Sequence, residues 1–374
     1  MDKEYPLIQK STMKTITFLF CLFISLLGNT QKRNPQNKAI YLEDINWIKA
    51  KELLTPEAIV VIPLGAGSKE HGPHLPLGTD FIQANGYTNK LALARKVIIT
   101  PVINYGLYPA FLKYAGSTSV NFSTSTEMIL QIVRYLSAYG PRRFYIINTG
   151  VSTVPSLAEA SKVLAEEGIL LYFSRYDRPN FAKAEDALRT KQFGGHGDEI
   201  ETSNMLYLRH DLVDMTKAVN DSSIKNNTGV MTPIPLEGGV LNTSGLNGYA
   251  KLATKQKGNL SVSGYSAEVI KEIDSIATCA LPKEKSRAIE YAAYEGNYQS
   301  ASGKKLAINQ KNNRLYYIWD GRDLRNFYAL FKDTEDYFTS VPMNLLFIKN
   351  ENGEVTKAWC RYRGESFWAT RIKE

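Results

Sequence analysis

Three of the four histidines in this chain lie in two short segments that are also rich in carboxylates. Segment 70–80 reads EHGPHLPLGTD, and segment 194–203 reads GGHGDEIETS. Imidazole and carboxylate groups are the ligands that borderline divalent metals such as zinc and manganese bind in proteins. The two segments therefore predict a metal centre. The fourth histidine, His210, follows Arg209 at a polar helix end and is expected at the surface.

The residues between the first two histidines determine how the side chains can be presented. Gly72, Pro73 and Pro76 exclude a regular helix, so His71 and His74 are not simply core residues on a helix face. Glycine permits unusual backbone angles, and proline stiffens the chain. This combination predicts a rigid loop that holds ligands at a fixed spacing.

Short apolar runs alternate with helical patterns between residues 46 and 276. The strand candidates are 58–63, 97–101, 144–148 and 169–173, and the helix candidates are 81–95, 126–139 and 154–167. This alternation indicates a three-layer α/β domain around a mostly parallel sheet. Sites in such domains form at the carboxyl ends of the strands, and segment 70–80 directly follows the first strand. We therefore predict an α/β domain over residues 38–280 that carries the metal centre.

The sequence pattern changes after Pro282. Apolar runs at 306–308, 315–319, 345–348 and 355–360 flank turn-rich segments, and Asn352-Gly353 is a strong hairpin signal. We predict a small antiparallel β domain, a sheet or barrel, over residues 283–374. This part contains no histidine, so a structural or binding appendage is the favoured interpretation.

The N-terminus has the parts of a secretory signal peptide, predicted over residues 1–31. An uncharged apolar run at 16–27 follows Lys14, and twelve helical residues, about 18 Å, are too short to span a bilayer. Met13 is an alternative start. Cys21 lies inside the run, which argues against a lipoprotein, so we expect a secreted, periplasmic protein without a stable membrane anchor. Cys279 and Cys360 would remain, and an oxidising compartment would permit them to pair.

The net charge of +8 does not indicate a nucleic-acid partner. No run of Lys or Arg exceeds two residues, and acidic residues are interspersed throughout. A diffuse excess of this kind is typical of a solvated surface.

The first histidine segment resembles the signature of the creatininase (creatinine amidohydrolase) family. The similarity covers about residues 40–277 and rests on segments 63–66, 71–80, 116–118, 195–203, 239–241 and 250–258. The last domain resembles, more weakly, the β module found behind bacterial serine hydrolases, through segments 294–298 and 314–316.

The resemblance implies a metal-dependent hydrolase of C–N bonds in cyclic or linear amides, usually assembled as an oligomer. It also implies that Asp80 is a carboxylate able to bridge two metals and that His71 is a ligand of one of them. His196 and Glu201 would line the same pocket, for substrate binding or proton transfer. The expected cofactor is zinc or manganese, with one or two ions per chain.

Two positions depart from the family pattern. The family usually has Glu two residues before the first histidine, where this chain has Lys69, and it commonly has a ligand His where this chain has Gly150. Three interpretations stay open. Lys69 places its ammonium at one metal position, or a bulge restores Glu70 as a ligand with Glu201 completing the shell, or the site is degenerate.

These features predict an exported hydrolase that cleaves non-peptide C–N bonds of a small amide. Creatinine is disfavoured because no tryptophan lies between Trp47 and Trp319 to close the pocket. The alternative is a catalytically degenerate periplasmic ligand-binding protein of the same fold. A serine hydrolase based on Ser152 is disfavoured because the Gly-x-Ser-x-Gly elbow is absent.

Overall fold

The computed structural model describes residues 33–223, 230–285, 291–311, 314–320, 328–332, 337–339, 343–362 and 365–372. The chain divides into two units, with the division between Lys283 and Glu284. The apolar run at 16–27, and with it the predicted signal peptide, lies outside the described residues. Among the residues described, no helix has both the length and the apolarity needed to cross a membrane.

The first unit is built on a parallel sheet with the strand order β1-β3-β2-β4-β5. These strands are β1 (Ile40–Tyr41), β2 (Ile59–Leu64), β3 (Ile98–Ile99), β4 (Arg143–Asn148) and β5 (Leu170–Phe173). In the register, Val60 of β2 faces Ile98 on one side and Phe144 on the other. β2 is therefore the central strand, and its nearly continuous apolar sequence is what a strand buried on both faces requires.

Helices cover both faces of this sheet. They are α1 (Trp47–Leu53), α2 (Thr79–Ala94), α3 (Phe122–Ser137), α4 (Val154–Glu166), α5 (Pro179–Asp186), α6 (Glu199–Arg209) and α7 (Lys255–Thr278). Two-residue strands complete the unit: β6 (Asn220–Asp221), β7 (Met231–Thr232), β8 (Val240–Leu241) and β9 (Gly248–Tyr249).

Successive residues of β2 point to opposite faces and so supply two separate cores. Val61 packs into a cluster with Tyr87 of α2 and Tyr265 of α7. Val60 and Ile62 pack into the other cluster, which contains residues of α3 and α4. The predicted three-layer α/β fold with a parallel sheet is therefore confirmed.

The second unit is a closed antiparallel barrel in which each strand pairs with its neighbours in chain order. Its strands are β10 (Gly296–Ser300), β11 (Lys305–Lys311), β12 (Arg314–Trp319), β13 (Tyr328–Lys332), β14 (Tyr337–Thr339), β15 (Met343–Lys349), β16 (Val355–Tyr362) and β17 (Glu365–Arg371). Tyr298 of β10 pairs with both Leu306 and Arg371, which closes the barrel between its first and last strands. The prediction of a small antiparallel β domain is confirmed.

Alternate residues of the barrel strands form its hydrophobic core. Met343, Leu345 and Phe347 of β15 are buried, while the residues between them are only half-buried. Cys360 lies in the same core, whereas Cys279 of the first unit is exposed, and both are free thiols. The structure therefore contains no disulfide between these two cysteines.

Candidate metal centre and its pocket

The first histidine segment forms the loop between β2 and α2. Gly65 begins the loop, and a Cβ at this position would lie 2.7 Å from the backbone carbon of Asp80. The missing side chain therefore lets the end of β2 pack directly against the first turn of α2. This close approach brings Lys69, His71 and Asp80 together.

Asp80 is fully buried and has a cationic or ionisable group at each carboxylate oxygen. The Lys69 Nζ lies 2.6 Å from Asp80 Oδ2, and the His71 Nε2 lies 3.0 Å from Asp80 Oδ1. Burial by itself raises the pKa of Asp80, but the Lys69 ammonium and His71 outweigh it and hold that pKa well below its usual range. Asp80 is therefore ionised.

Lys69 is fixed by aromatic rings as well as by Asp80. Its side chain is only 7% exposed, and its Nζ lies 5.1 Å from the centre of the Phe111 ring and 5.7 Å from that of Tyr108. Both rings lie within cation–π distance of the amine. The structure thus holds the Lys69 amine against one oxygen of Asp80.

The hydrogen bonds of His71 leave one lone pair directed at Asp80. Its Nδ1 lies 2.8 Å from the carbonyl oxygen of Lys69, which can only accept, so Nδ1 donates. In a neutral imidazole the Nε2 is then an acceptor, and it faces another acceptor, Asp80 Oδ1. A proton or a metal cation must lie between these two atoms, and a backbone carbonyl behind the opposite ring nitrogen is the usual support of a metal-binding histidine.

The second histidine segment leads into α6 and approaches the first. Asp198 caps α6, accepting hydrogen bonds from the N–H groups of Ile200 and Glu201. His196 precedes the cap, and its Nε2 lies 3.0 Å from Glu70 Oε2. Because a carboxylate accepts, this nitrogen donates, and the His196 Nδ1 is left 3.9 Å from Glu201 Oε2.

Glu201 lies on the first turn of α6 beside His196. Its Oε2 accepts a 2.6 Å hydrogen bond from the N–H of Gly197. Burial raises the pKa of Glu201, an effect that His196 and Lys69 partly oppose and that Asp80 and Asp198 strengthen. Such a carboxyl exchanges a proton closer to neutral pH than an exposed glutamate does.

The two segments place the donor atoms of His71, His196 and Glu201 within 4.8 Å of one another, which is close enough for a metal ion. The rings of His71 and His196 lie 4.9 Å apart, and Phe111 covers His196 at 4.2 Å. The carboxylate of Glu70 does not join this group among the described residues. It binds His196 and the N–H of Gly72 instead, so it orients a donor rather than serving as one.

The other two histidines have no place among these donors. His74 is buried and its Nε2 lies 2.8 Å from the Thr202 hydroxyl, which ties the loop to α6. Burial lowers the pKa of His74 to about 4. His210 is exposed, as predicted.

At Gly150, where the family commonly has a histidine, a neighbouring aromatic ring limits the space for a side chain. A Cβ at Gly150 would lie 3.1 Å from the Tyr108 ring and 3.3 Å from the Thr153 hydroxyl. Asn148 fixes this turn by accepting from the Gly150 N–H and the Thr153 hydroxyl. Tyr108 therefore fills the space beside Gly150, and it also lies against Lys69.

The two histidine segments border a cavity of about 540 Å³. Lys69, His196 and Glu201 line it together with Phe111, Ser152 and residues from the α5 region. Sequence reasoning did not find Tyr108 and Phe111. The available signal was the aromatic spacing of Tyr105, Tyr108, Phe111 and Tyr114 in the segment after β3.

The family profile described as "Creatininase: Creatinine amidohydrolase" matches residues 43–273, more than half of the chain. The chain belongs to the creatininase family. The resemblance seen in the motifs is therefore confirmed, and creatininases are metal-dependent amide hydrolases. The match lies within the first unit, which carries all of the site residues discussed above.

Individual relatives are distant from this creatininase-family chain. The creatinine amidohydrolase of Pseudomonas putida is 24% identical over 246 residues, covering 60% of this chain and 92% of the relative. A mycofactocin precursor peptide peptidase of Mycobacterium tuberculosis is 28% identical over 129 residues, covering 32% of this chain and 51% of the peptidase.

Solved creatininase structures share the fold. A tryptophan-to-alanine variant of creatininase superposes with a TM-score of 0.54 at 22% identity, covering 64% of this chain and all of that one. A manganese form gives 0.53 at 20% identity, with coverage of 64% and 100%. A glutamate-to-glutamine variant described as Zn–Zn type gives 0.53 at 21%, with coverage of 64% and 99%.

Proposed function

We propose that this chain is a hydrolase of C–N bonds in small, non-peptide amides, with one divalent metal and one fixed lysine at its centre. The observation that carries the proposal is the facing pair of acceptors, His71 Nε2 and Asp80 Oδ1, at 3.0 Å. Two ligands bound at about 2.0–2.2 Å to one ion lie about 3.0–3.5 Å apart, the shorter value applying to octahedral and the longer to tetrahedral geometry. The donor types and their separation therefore fit a metal ion with bond angles near 90°.

His71 and Asp80 would hold the ion through their facing atoms. A further donor would come from His196 or Glu201, whose donor atoms lie within 4.8 Å of that of His71. His196 offers its Nδ1 because Glu70 occupies its other nitrogen. Zinc and manganese, which two structural neighbours contain, are both compatible with imidazole and carboxylate donors. A divalent ion at this point supplies Lewis acidity, which polarises an amide carbonyl and makes water more acidic.

Lys69 supplies a second positive charge without a second ion. Its ammonium is held on Asp80 and lines the cavity, where it stabilises negative charge on the oxygen of an amide under attack. Asp80 thus lies between two cations, of which one is part of the chain. The lysine replaces the electrostatic contribution of a second metal.

Glu201 is the proton-transfer group in this proposal. It lines the cavity next to both histidine donors, and its raised pKa suits a carboxylate that takes a proton from water and delivers it to the leaving nitrogen. The N–H of Gly197 holds Oε2 in place during this exchange. Phe111 covers His196 and excludes water from that side of the site.

Metal analysis of the purified protein, combined with an amide panel, tests this function. We expect about one zinc or manganese per chain and hydrolysis of at least one small linear or cyclic amide, with creatinine a poor substrate. Two tightly bound equivalents would contradict the role of Lys69. Absence of both metal and hydrolysis would favour the degenerate ligand-binding protein, in which His71 and Asp80 form a hydrogen-bonded pair.

We also propose export to the periplasm and assembly into a homo-oligomer. The apolar run at 16–27 supports export, and family membership supports oligomerisation. N-terminal sequencing of protein recovered from the periplasmic fraction should give a start near residue 31. Light scattering should give a mass that is a multiple of the chain mass.

A further inference from the structure

One wall of the cavity is acidic although the chain as a whole is basic. Two cationic side chains line the cavity, Lys69 and Arg189, against the carboxylates of Asp177, Glu185, Asp186, Asp198 and Glu201. The net charge of the chain is +8. The excess of acid is therefore a local property of this cavity.

Each cation in the lining already has a carboxylate partner. Lys69 is paired with Asp80, as described above. Arg189 binds Asp198 through Nη1, and it lies 3.7 Å from Glu185 Oε2 and 3.5 Å from Asp186 Oδ1. One guanidinium thus serves three carboxylates, whereas Asp177 has its own partner in Arg175. The shortage of positive charge is therefore confined to Glu185, Asp186 and Asp198.

Glu185 is the carboxyl that most lacks a partner. Its side chain is 15% exposed, and Arg189 is its nearest cation. Burial raises the pKa of Glu185 to about 8, and Asp198, Glu201 and Asp186 add to the rise. A further positive charge beside Glu185 would stabilise its ionised form.

Gln83 independently indicates a ligand in this cavity. It lines the cavity and is 1% exposed, and its Oε1 accepts hydrogen bonds from Asn204 Nδ2 at 2.9 Å and from the Tyr87 hydroxyl at 3.2 Å. The other amide atom of Gln83, Nε2, has no partner among the described residues, and neither has Asn204 Oδ1. A buried amide end of this kind requires a hydrogen-bond partner, which the amide group of a ligand supplies.

We propose that this cavity takes an amide whose far end carries an ammonium or guanidinium group. The cation binds the carboxylates of Glu185 and Asp186, and the amide group forms a hydrogen bond with the unpartnered end of Gln83. The inference rests on the proposed function, because it names the substrate class of the same site. Anionic amides are excluded by the same wall.

Calorimetric titration with three probes of matched length tests the inference on the full-length protein. The probes are N-acetyl-1,4-diaminobutane, N-butylacetamide and 4-acetamidobutanoate, which end in an ammonium, a methyl and a carboxylate. Hydrogen bonds to a charged group are stronger than neutral ones and predict at least a tenfold preference for the ammonium probe over the neutral one. The carboxylate probe should bind most weakly.

Variants separate the contributions of the wall and of Gln83. Glu185→Gln should reduce the preference for the ammonium probe to threefold or less and should leave the affinity for the neutral probe within twofold. Asp186→Asn should reduce the same preference by a smaller factor. Gln83→Met should weaken the ammonium and neutral probes by the same factor and so preserve the preference. Asp211→Asn, an exposed acid outside the lining, is the control and should change neither.

Equal binding of the three probes, tightest binding of the carboxylate probe, no binding of any probe, or an unchanged preference in Glu185→Gln would each overturn the inference. Binding does not depend on turnover, so the two proposals can fail separately. The expected preference without hydrolysis of any amide would support the inference and contradict the proposed hydrolase. Hydrolysis of amides without this preference would support the proposed hydrolase and contradict the inference.

Discussion

Asp80 and Lys69 form a buried ion pair whose energetics constrain the whole site. Removing one partner of such a pair leaves an uncompensated charge and typically costs about 3–5 kcal/mol. The lysine is therefore a structural part of the site, because it neutralises Asp80.

Two substitutions distinguish the proposed role of His71 as a metal ligand from that of Glu201 as a proton-transfer group. His71→Ala removes a ligand and should lower metal content below a tenth of an equivalent, with activity lost. Glu201→Gln keeps the shape of the side chain and should retain metal while kcat falls by about 10²–10⁴-fold, the usual contribution of general acid–base catalysis. Metal content and single-turnover rates measure the two effects. Loss of metal in Glu201→Gln would show instead that Glu201 is a ligand.

His74 predicts a specific acid sensitivity of folding. Its pKa is about 4 in the folded state against 6.5 for the free group, so the unfolded chain binds the proton more tightly. The contribution of neutral His74 to the free energy of unfolding is fully present above pH 6.5. It falls by about 3 kcal/mol as the pH falls towards 4, at 1.36 kcal/mol per pKa unit. Denaturant unfolding of His74→Gln should show a flatter pH dependence in this window. His210→Gln, at an exposed position, should follow the wild type.

At the scale of elements, the junction of β2 and α2 determines where the site can form. The loop between them leaves the sheet at its central strand and returns into a helix whose first turn carries Asp80. An anionic side chain is favoured at a helix N-terminus by the helix dipole. The junction depends on Gly65, which packs against the backbone of that turn.

Gly65→Ala should therefore destabilise the fold and displace Asp80. Overpacking of this kind typically costs about 1–3 kcal/mol, because backbone rather than a flexible side chain must move. Urea unfolding measures the loss, and metal content should fall with it. Gly78→Ala is the matched control in the same loop, since its Cβ would meet only the Gly67 carbonyl at 3.5 Å. Equal stability of the two variants would contradict this account.

Local patterns predicted most elements of the sheet but not everything that surrounds the site. β2, β4 and β5 were predicted to within one residue because they are continuous apolar runs. The two-residue β1 and the long α7 were not predicted. β1 is defined by its pairing with β3, and α7 carries Gly258, Ser261 and Ser266 where it packs closely on its neighbours.

The candidate site could be predicted as a set of residues but not as a set of contacts. Pattern and resemblance named Lys69, His71 and Asp80, and the structure brings them together. The partner of Glu70 could not be inferred, because His196 lies 126 positions away. Long-range pairing of this kind depends on how the two loops meet.

At the scale of the whole molecule, each unit has its own hydrophobic core. The residues assigned to metal, proton transfer and substrate selection all belong to the first unit. The barrel core contains large side chains such as Tyr298, Phe338 and Phe347, all buried. The barrel is thus a filled structural unit, and no catalytic group has been assigned to it.

A chain that ends at Lys283 should therefore keep the chemistry. We expect its metal content to be unchanged, since no residue of the site is removed. Its kcat/KM on the best amide should stay within about twofold, which corresponds to about 0.4 kcal/mol. Steady-state kinetics of the truncated and full-length proteins measure this. Phe347→Ala in the full chain is the companion variant, because it should weaken the barrel by about 3–5 kcal/mol without changing kcat. A large fall in kcat/KM with either would assign the barrel a part in catalysis.

The ring of Tyr108 beside Gly150 couples distant positions of the pocket. A histidine introduced at position 150 would bring its Cβ to 3.1 Å from that ring, and a glutamate introduced at position 69 would place a second carboxylate beside Asp80 in place of its cation. Either substitution alone would therefore disturb the packing or the charge of the site. A histidine and a glutamate at these positions require changes at 69, 108 and 150 together.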